Sequence, residues 1–525
     1  MKDKSAWPIA LLGVVIGVLG TIIAGYIGKQ HKKTINERDW SKLNLVLEQV
    51  RENYVDEVNV SEVTEAAIVA ALSKLDPHSL YLPPTDLEAA ETDLAGNFDG
   101  IGIQFNVPND TAIVLEVIAG GPSEKAGLLA GDRLLEVDGT VIAGVKFPQD
   151  SMVRRLKGPA GTKVSVKVSR DKELINFDIT RAKIPLHCVD ASFMIGDTTG
   201  YIRLNKFSAT TYHEVLLAAL DLASKGMKKM ILDIRENTGG YFNQALLLSN
   251  LFLKKGDSIV YLDGLHRRRE EYKADGNGGF QDLKLVVIIN ENSASSSEIF
   301  AGAIQDNDRG VIVGRRSFGK GLVQEPLYFS DGSAVRISVA RYYTPSGRCI
   351  QRPYKAGKDY QMDIYNRYLD GEMFSQDSVK TDTTEVYHTV SGRTVYGGGG
   401  IMPDIYVPMD TTRATDFYVK CNRKALPVKY SSMIFDRYKN RLGSIDNYGD
   451  LENFFESINI PASFLAYAAK EGILAKKGEW DLTSSYMLPY LRALIGRYSK
   501  LGQNAYYKLF LPIDDAVTVA LTAEP

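Results

Sequence analysis

Cysteine is scarce in the chain: Cys188, Cys349 and Cys421 are the only three in 525 residues, far apart and in no CxxC pair. That excludes a disulfide-stapled fold, and an odd count leaves at least one thiol without an intrachain partner. A basic excess is missing too. Lys and Arg number 62 against 64 Asp and Glu, a formal charge of −2, so the chain lacks the electrostatic footprint of nucleic-acid binding. Also absent are a GxSxG elbow, a GxxxxGK[ST] phosphate loop and a complete HExxH pair, since His213-Glu214 has no second histidine. Beyond residue 28 no apolar run is long enough to cross a bilayer.

What is present is an ordinary globular composition, 44% hydrophobic and 24% charged, which fits neither wholesale disorder nor a polytopic membrane protein. The length predicts roughly three or four domains. From Pro8 to Gly28 the chain carries no charge. As a helix rising about 1.5 Å per residue, this segment reaches about 30 Å, the thickness of a bilayer core. Its apolar stretch is longer than that of a signal peptide and no A-x-A-like site follows, so an uncleaved single-span anchor is expected over a cleaved leader. Lys2 and Lys4 precede the span while Lys29, Lys32, Lys33 and Arg38 follow it, and this charge distribution does not decide the orientation.

Residues 1–33 are thus read as tail and anchor, and 34–88 as a small helical region closed by the turn LDPHSLYLPP. His78, in that turn, is expected to be structural. Residues 89–185 change to short alternating strands punctuated by glycine. Within them GPSEKAGLLAGDRLLEVDG (Gly121–Gly139), the upstream Gly100-Ile101-Gly102-Ile103 and the later LKGPAGTKV resemble a PDZ domain. That resemblance implies that the Gly100–Ile103 loop offers backbone amides to a peptide carboxylate while the peptide adds as a strand. Between 186 and 410 apolar strands alternate with amphipathic helices, an α/β layer structure. Residues 411–525 have helical spacing and no readable motif, and form an accessory, mostly helical domain.

Three segments of the α/β region suit chemistry. In LDIRENTGG a strand ends near Asp233-Ile234-Arg235, and Gly239-Gly240 opens the next helix. Exposed amides there could hold an oxyanion, although from this piece alone a plain glycine-rich turn is the favoured reading. In VVIINENSASSSEIFAGAIQD a buried strand leads through four serines to a helix starting near Ser296. Ser295 and Glu298 have capping-box spacing, yet Ser295 also suits a nucleophile with the Ser296 amide aimed at an oxyanion. In SFGKGLVQ, Lys320 sits between glycines and beside apolar residues. It could act as general base if burial lowered its pKa from the reference of about 10.4, with Gln324 orienting the amine by a hydrogen bond. Ser317 to Lys320 formally repeats the SxxK spacing of penicillin-recognising enzymes, but the glycines and the missing SDN and KTG strings argue against that use. Ser295 is the preferred nucleophile.

Taken together, SASSSEIFAGAIQD, SFGKGLVQ, LDIRENTGG, LDPHSLYL and GGGGIMPDI, with the PDZ-like module between LDPHSLYL and the core, resemble the C-terminal processing peptidases over about residues 40–410. The resemblance implies a PDZ-like module inserted before an α/β, crotonase-like spiral protease core; with the N-terminal transmembrane helix and the helical C-terminal extension read from the residues themselves, the expected fold class is α+β multidomain. It makes Ser295 the nucleophile, Lys320 the base and Gln324 its assistant. The oxyanion would rest on the Ser296 amide and on Gly239 or Gly240. No metal, nucleotide or other cofactor is implied. The implied partners are protein C-termini held by the PDZ module, and the implied side for the catalytic part is periplasmic or extracytoplasmic, which with the single span gives an inner-membrane location. The apolar faces of the helices at 34–88 and at the C-terminus leave self-association, an adaptor or burial within one chain open. Two departures stand out: Ser296 where alanine is usual and Thr238 where proline is usual. The competing reading is an inactive PDZ scaffold that only captures C-termini.

Overall fold

The computed structural model describes residues 41–107, 110–118, 120–354, 360–380 and 384–525. The apolar segment Pro8–Gly28 lies outside them, and among the described residues no helix is long and apolar enough to cross a membrane. The centre is a six-stranded sheet in the order Val189–Ile195, Thr199–Leu204, Lys229–Asp233, Lys284–Ile289, Val311–Gly314, Ile405–Tyr406. Its first pair is antiparallel and every other pair parallel. KMILD and LVVII are buried at every position, as expected of parallel strands covered on both faces.

Side-chain alternation sorts those strands onto two cores. Met230, Leu232, Leu285, Val287 and Ile289 face the crossover helices, where Val215, Ala219 and Leu222 recur at helical spacing. Ile231, Val286, Ile288 and Val313 face the other way and meet Ala516, Val517 and Ala520. The helix Asp515–Thr522, at the far end of the helical region, is therefore one layer of the sheet's packing. Lys229 Nζ fastens it by donating to the carbonyls of Leu521 at 2.9 Å and Ala523 at 2.5 Å. Arg235 reaches Asp514 at 2.6 and 3.0 Å.

A second sheet packs beside the first, in the order Leu80–Leu82, Ala334–Tyr343, Ser258–Gly264, Arg267–Lys273, with Leu322–Tyr328 also paired to Ala334–Tyr343. The β-rich module has its own core around Val114, Leu134, Val166 and Val168. It is entered and left through one ribbon, in which Asn97–Gly100 pairs antiparallel with Ala182–Pro185. The helices between Asp416 and Phe510 close over Phe417, Tyr430, Phe454, Phe464 and Leu491. They touch the β-rich module, where Ala130 packs against them and Arg133 meets Asp436 at 2.7 Å.

Candidate active site

Three neighbouring parallel strands, Lys229–Asp233, Lys284–Ile289 and Val311–Gly314, release their chains at the same edge of the sheet. In open α/β sheets that carboxyl edge is where ligand sites form. The three loops suited to chemistry leave from it, and residues of all three line one cleft of about 730 Å³.

The serines of SASSS have separate fates. Ser293 Oγ accepts from the Asn290 amide at 3.0 Å and donates to the Ile234 carbonyl at 2.8 Å. Ser297 Oγ donates to the Asn237 carbonyl at 2.8 Å, and Ser296 Oγ to the Gly240 carbonyl at 3.0 Å. These three staple the serine turn to the turn before it. Ser295 lines the cleft at the mouth of the helix Ser296–Asp306, with φ 56° and ψ −115°. A side chain in that region of backbone space costs on the order of 1–3 kcal/mol, which the surrounding packing must offset. The Ser295–Glu298 spacing is that of a capping box: the Glu298 carboxylate accepts from the Ser295 amide at 2.9 Å, and the Glu298 amide is hydrogen-bonded to the Ser295 carbonyl at 2.8 Å.

Gly239 has φ 97°, and a Cβ there would lie 2.8 Å from Ser295 Cβ and 2.9 Å from the Ser296 nitrogen. Glycine thus permits the close approach of the two turns. The Gly239 amide is committed to Asn237 Oδ1 at 3.0 Å. Among the described residues no acceptor takes the amides of Gly240 or Ser296, and both residues line the cleft beside Ser295.

Lys320 enters the cleft from the third loop, and its Nζ donates to Gln324 Oε1 at 2.8 Å. The Gln324 amide nitrogen in turn donates to the His78 carbonyl. Burial pulls the Lys320 amine below its usual pKa, and the Arg336 guanidinium pulls it further, against the opposing charges of Glu298 and Asp76. Glu298, which sequence spacing marks only as a capping residue, is fully buried. Its carboxylate accepts from the amides of Ser295 (2.9 Å), Lys320 (2.9 Å) and Gly319 (2.7 Å) and from Ser317 Oγ (2.5 Å). It joins the serine loop to the lysine loop. Burial pushes its carboxyl up to about 7, with those four hydrogen bonds opposing. Ser317 is fully buried and also accepts from the Ile401 amide at 2.6 Å, so it is closed to substrate and the SxxK alternative fails on access.

Sequence reasoning also missed Asn237, which takes the Gly239 amide, and Arg336, which lines the cleft. Asn237 lies within LDIRENTGG, where the glycines and not the asparagine carry the signal, and Arg336 sits in no motif that marks chemistry. In the β-rich module Gly100, Ile101, Gly102 and Ile103 form the link between its first strands. The carbonyls of Ile101 and Gly102 accept from Ser123 and Ile118, each at 3.0 Å, while among the described residues nothing accepts their amides. The following strand, Ile103–Asn106, is an edge of its sheet. The helix Pro84–Ala95, which leads into the module, forms one wall of the cleft.

An α/β core with this cleft, preceded by a domain of PDZ topology, defines a multidomain serine peptidase. The sequence pattern of peptidase family S41 matches residues 198–362 and that of the PDZ domain residues 100–180. The carboxy-terminal-processing protease of Bartonella bacilliformis is 36% identical over 315 residues, spanning 58% of this chain and 71% of that protein. The carboxyl-terminal-processing protease of Synechocystis sp. is 35% identical over 329 residues, spanning 61% and 74%. The chain belongs to peptidase family S41, among the C-terminal processing peptidases that carry a PDZ domain.

Proposed function

We propose that the protein is an endopeptidase that cleaves proteins near or from their C-termini with a Ser295/Lys320 dyad. The observation that carries this reading is the meeting in one cleft of Ser295, Lys320 held by Gln324, and two unengaged amides. Neutral Lys320 takes the Ser295 proton as Oγ attacks the scissile carbonyl carbon. The oxyanion is held by the Ser296 and Gly240 amides, since the Gly239 amide is already engaged. The lysine then gives its proton to the leaving amine, and water, activated by the same amine, hydrolyses the acyl-enzyme. The free edge of Ile103–Asn106 and the amides of Ile101 and Gly102 suit a substrate C-terminus added as a strand with its carboxylate on the loop. The uncharged Pro8–Gly28 segment supports anchoring to the inner membrane, with the catalytic part on the periplasmic or extracytoplasmic side by analogy with the family.

The test uses the full-length protein and a loosely folded substrate with an apolar C-terminal tail, followed by intact mass. Wild type is expected to shorten the substrate, and Ser295→Ala and Lys320→Ala to leave it whole while remaining folded by circular dichroism. Cleavage that survives Ser295→Ala would refute the dyad.

A further inference from the structure

Behind Lys320, three segments far in sequence from the turn Asp76–Ser79 meet on it. Asp76 Oδ1 accepts from the amides of His78 and Ser79, each at 2.8 Å, and Oδ2 from Ser79 Oγ at 2.6 Å. The strand Ala334–Tyr343 holds the turn at Ser338, whose amide donates to Ser79 Oγ and whose hydroxyl donates to Asp76, both at 3.1 Å. Ser338 is also the register partner of Gln324, so one strand sets the position of the turn and of the glutamine together. The His78 imidazole Nε2 meets the Tyr360 hydroxyl at 2.8 Å. The Arg352 guanidinium lies 3.9 Å from the ring centres of both Phe318 and Tyr360, and its amide donates to the Gly319 carbonyl at 3.0 Å. The turn is thereby clamped to the loop that carries Lys320.

An amide side chain has a donor end and an acceptor end, and only one orientation helps the base. With Oε1 toward Lys320, Gln324 accepts a proton of the amine and leaves the nitrogen lone pair for Ser295. The reverse orientation would set NH2 against that lone pair. The His78 carbonyl, by accepting from Nε2, selects the productive orientation.

We propose that the Asp76–Ser79 turn, clamped through His78 to Tyr360, is a positioning element of this peptidase, aiming Gln324 and through it Lys320. The inference rests on the dyad reading. The charged or titratable groups that face the amine are Glu298, Asp76, His78 and Arg336. Burial and the neighbouring Lys320 hold the His78 imidazole down to about 4, so it is neutral under ordinary conditions. Asp76 is the one of these groups that belongs to the turn and bears a charge opposite to the amine's.

The experiment measures kcat, KM and the pH profile of kcat/KM on an internally quenched peptide with an apolar, free C-terminus, using full-length wild type, Ser295→Ala, Tyr360→Phe and Asp76→Asn. Tyr360→Phe keeps the ring and deletes the hydroxyl that meets His78. It is expected to lower kcat about tenfold at unchanged KM, the scale of a small misplacement remote from the reacting atoms. Asp76→Asn removes a negative charge that favours the ammonium, so the acid limb of the profile is expected to move to lower pH. A Tyr360→Phe variant with wild-type kcat, or an Asp76→Asn variant whose limb does not move, would overturn the positioning role, including where activity merely falls along with melting temperature. Activity retained by Ser295→Ala is a separate failure, that of the dyad itself.

Discussion

Arg336 is on the cleft wall, on the strand paired with the one that carries Gln324. Its charge disfavours the ammonium form of Lys320, adding to the effect of burial. Replacing it with glutamine removes a positive charge, so the lysine binds its proton more tightly and the neutral base appears only at higher pH. The acid limb of kcat/KM is therefore expected to move upward in Arg336→Gln and to stay in place in Arg336→Lys, which pH-rate profiles of the two variants measure. The sign is opposite to that expected for Asp76→Asn, because the two charges are opposite. Nothing in the residue string around Arg336 signals this role. It is set by a strand pairing, whereas Lys320, between two glycines and apolar neighbours, is legible as a candidate base in its own segment. Ser295 was legible in the same way, from a strand that runs out into small residues. Glu298 was visible only as a capping residue, since the donors that gather on it come from a loop about twenty positions away and spacing says nothing of such convergence.

At the scale of elements, the strands were readable because parallel strands buried on both faces leave unbroken apolar runs such as KMILD and LVVII. The glycine-marked strands of the PDZ domain announced themselves through turn chemistry. The C-terminal helices were readable as helices but not as to what they cover, because an apolar stripe specifies a need for burial and not a partner. The helix Asp515–Thr522 meets that need on the central sheet, with Val517 wholly buried among Ile231, Val286 and Ile288. Val517→Asp would place an unpaired carboxylate there and is expected to cost more than about 3 kcal/mol, enough to unfold the core. Thermal melting together with loss of peptidase activity checks this. If the helix belonged to an independent accessory domain, activity would survive the substitution.

Across the whole molecule, the helical region bridges the catalytic core and the PDZ domain. On the PDZ side the bridge includes Arg133 with Asp436, and Lys439 packs against Gly131. Tyr438, in the same turn of the helix Leu426–Leu442 but packed on Phe454 in the helical core, departs from helical geometry with φ −121°, so the contact coincides with a kink. An exposed ion pair of this kind is worth about 0.2–1 kcal/mol, small enough to release without unfolding either part. Asp436→Arg is expected to raise amide exchange around Leu129–Arg133 by a few fold while leaving the core strands protected. Combining it with Arg133→Asp should restore the slower exchange, and hydrogen–deuterium exchange followed by mass spectrometry reads both.

The single ribbon through which the PDZ domain enters and leaves has a consequence for how such a chain can change over time. The Leu186 amide donates to the Gly96 carbonyl at 2.8 Å, so the two severed ends of an excised module would already be hydrogen-bonded neighbours. Recognition and hydrolysis are joined here as a cassette is joined to its socket. A lineage could exchange the reader of tails for another small domain with adjacent ends and leave the cutting machinery as it stands.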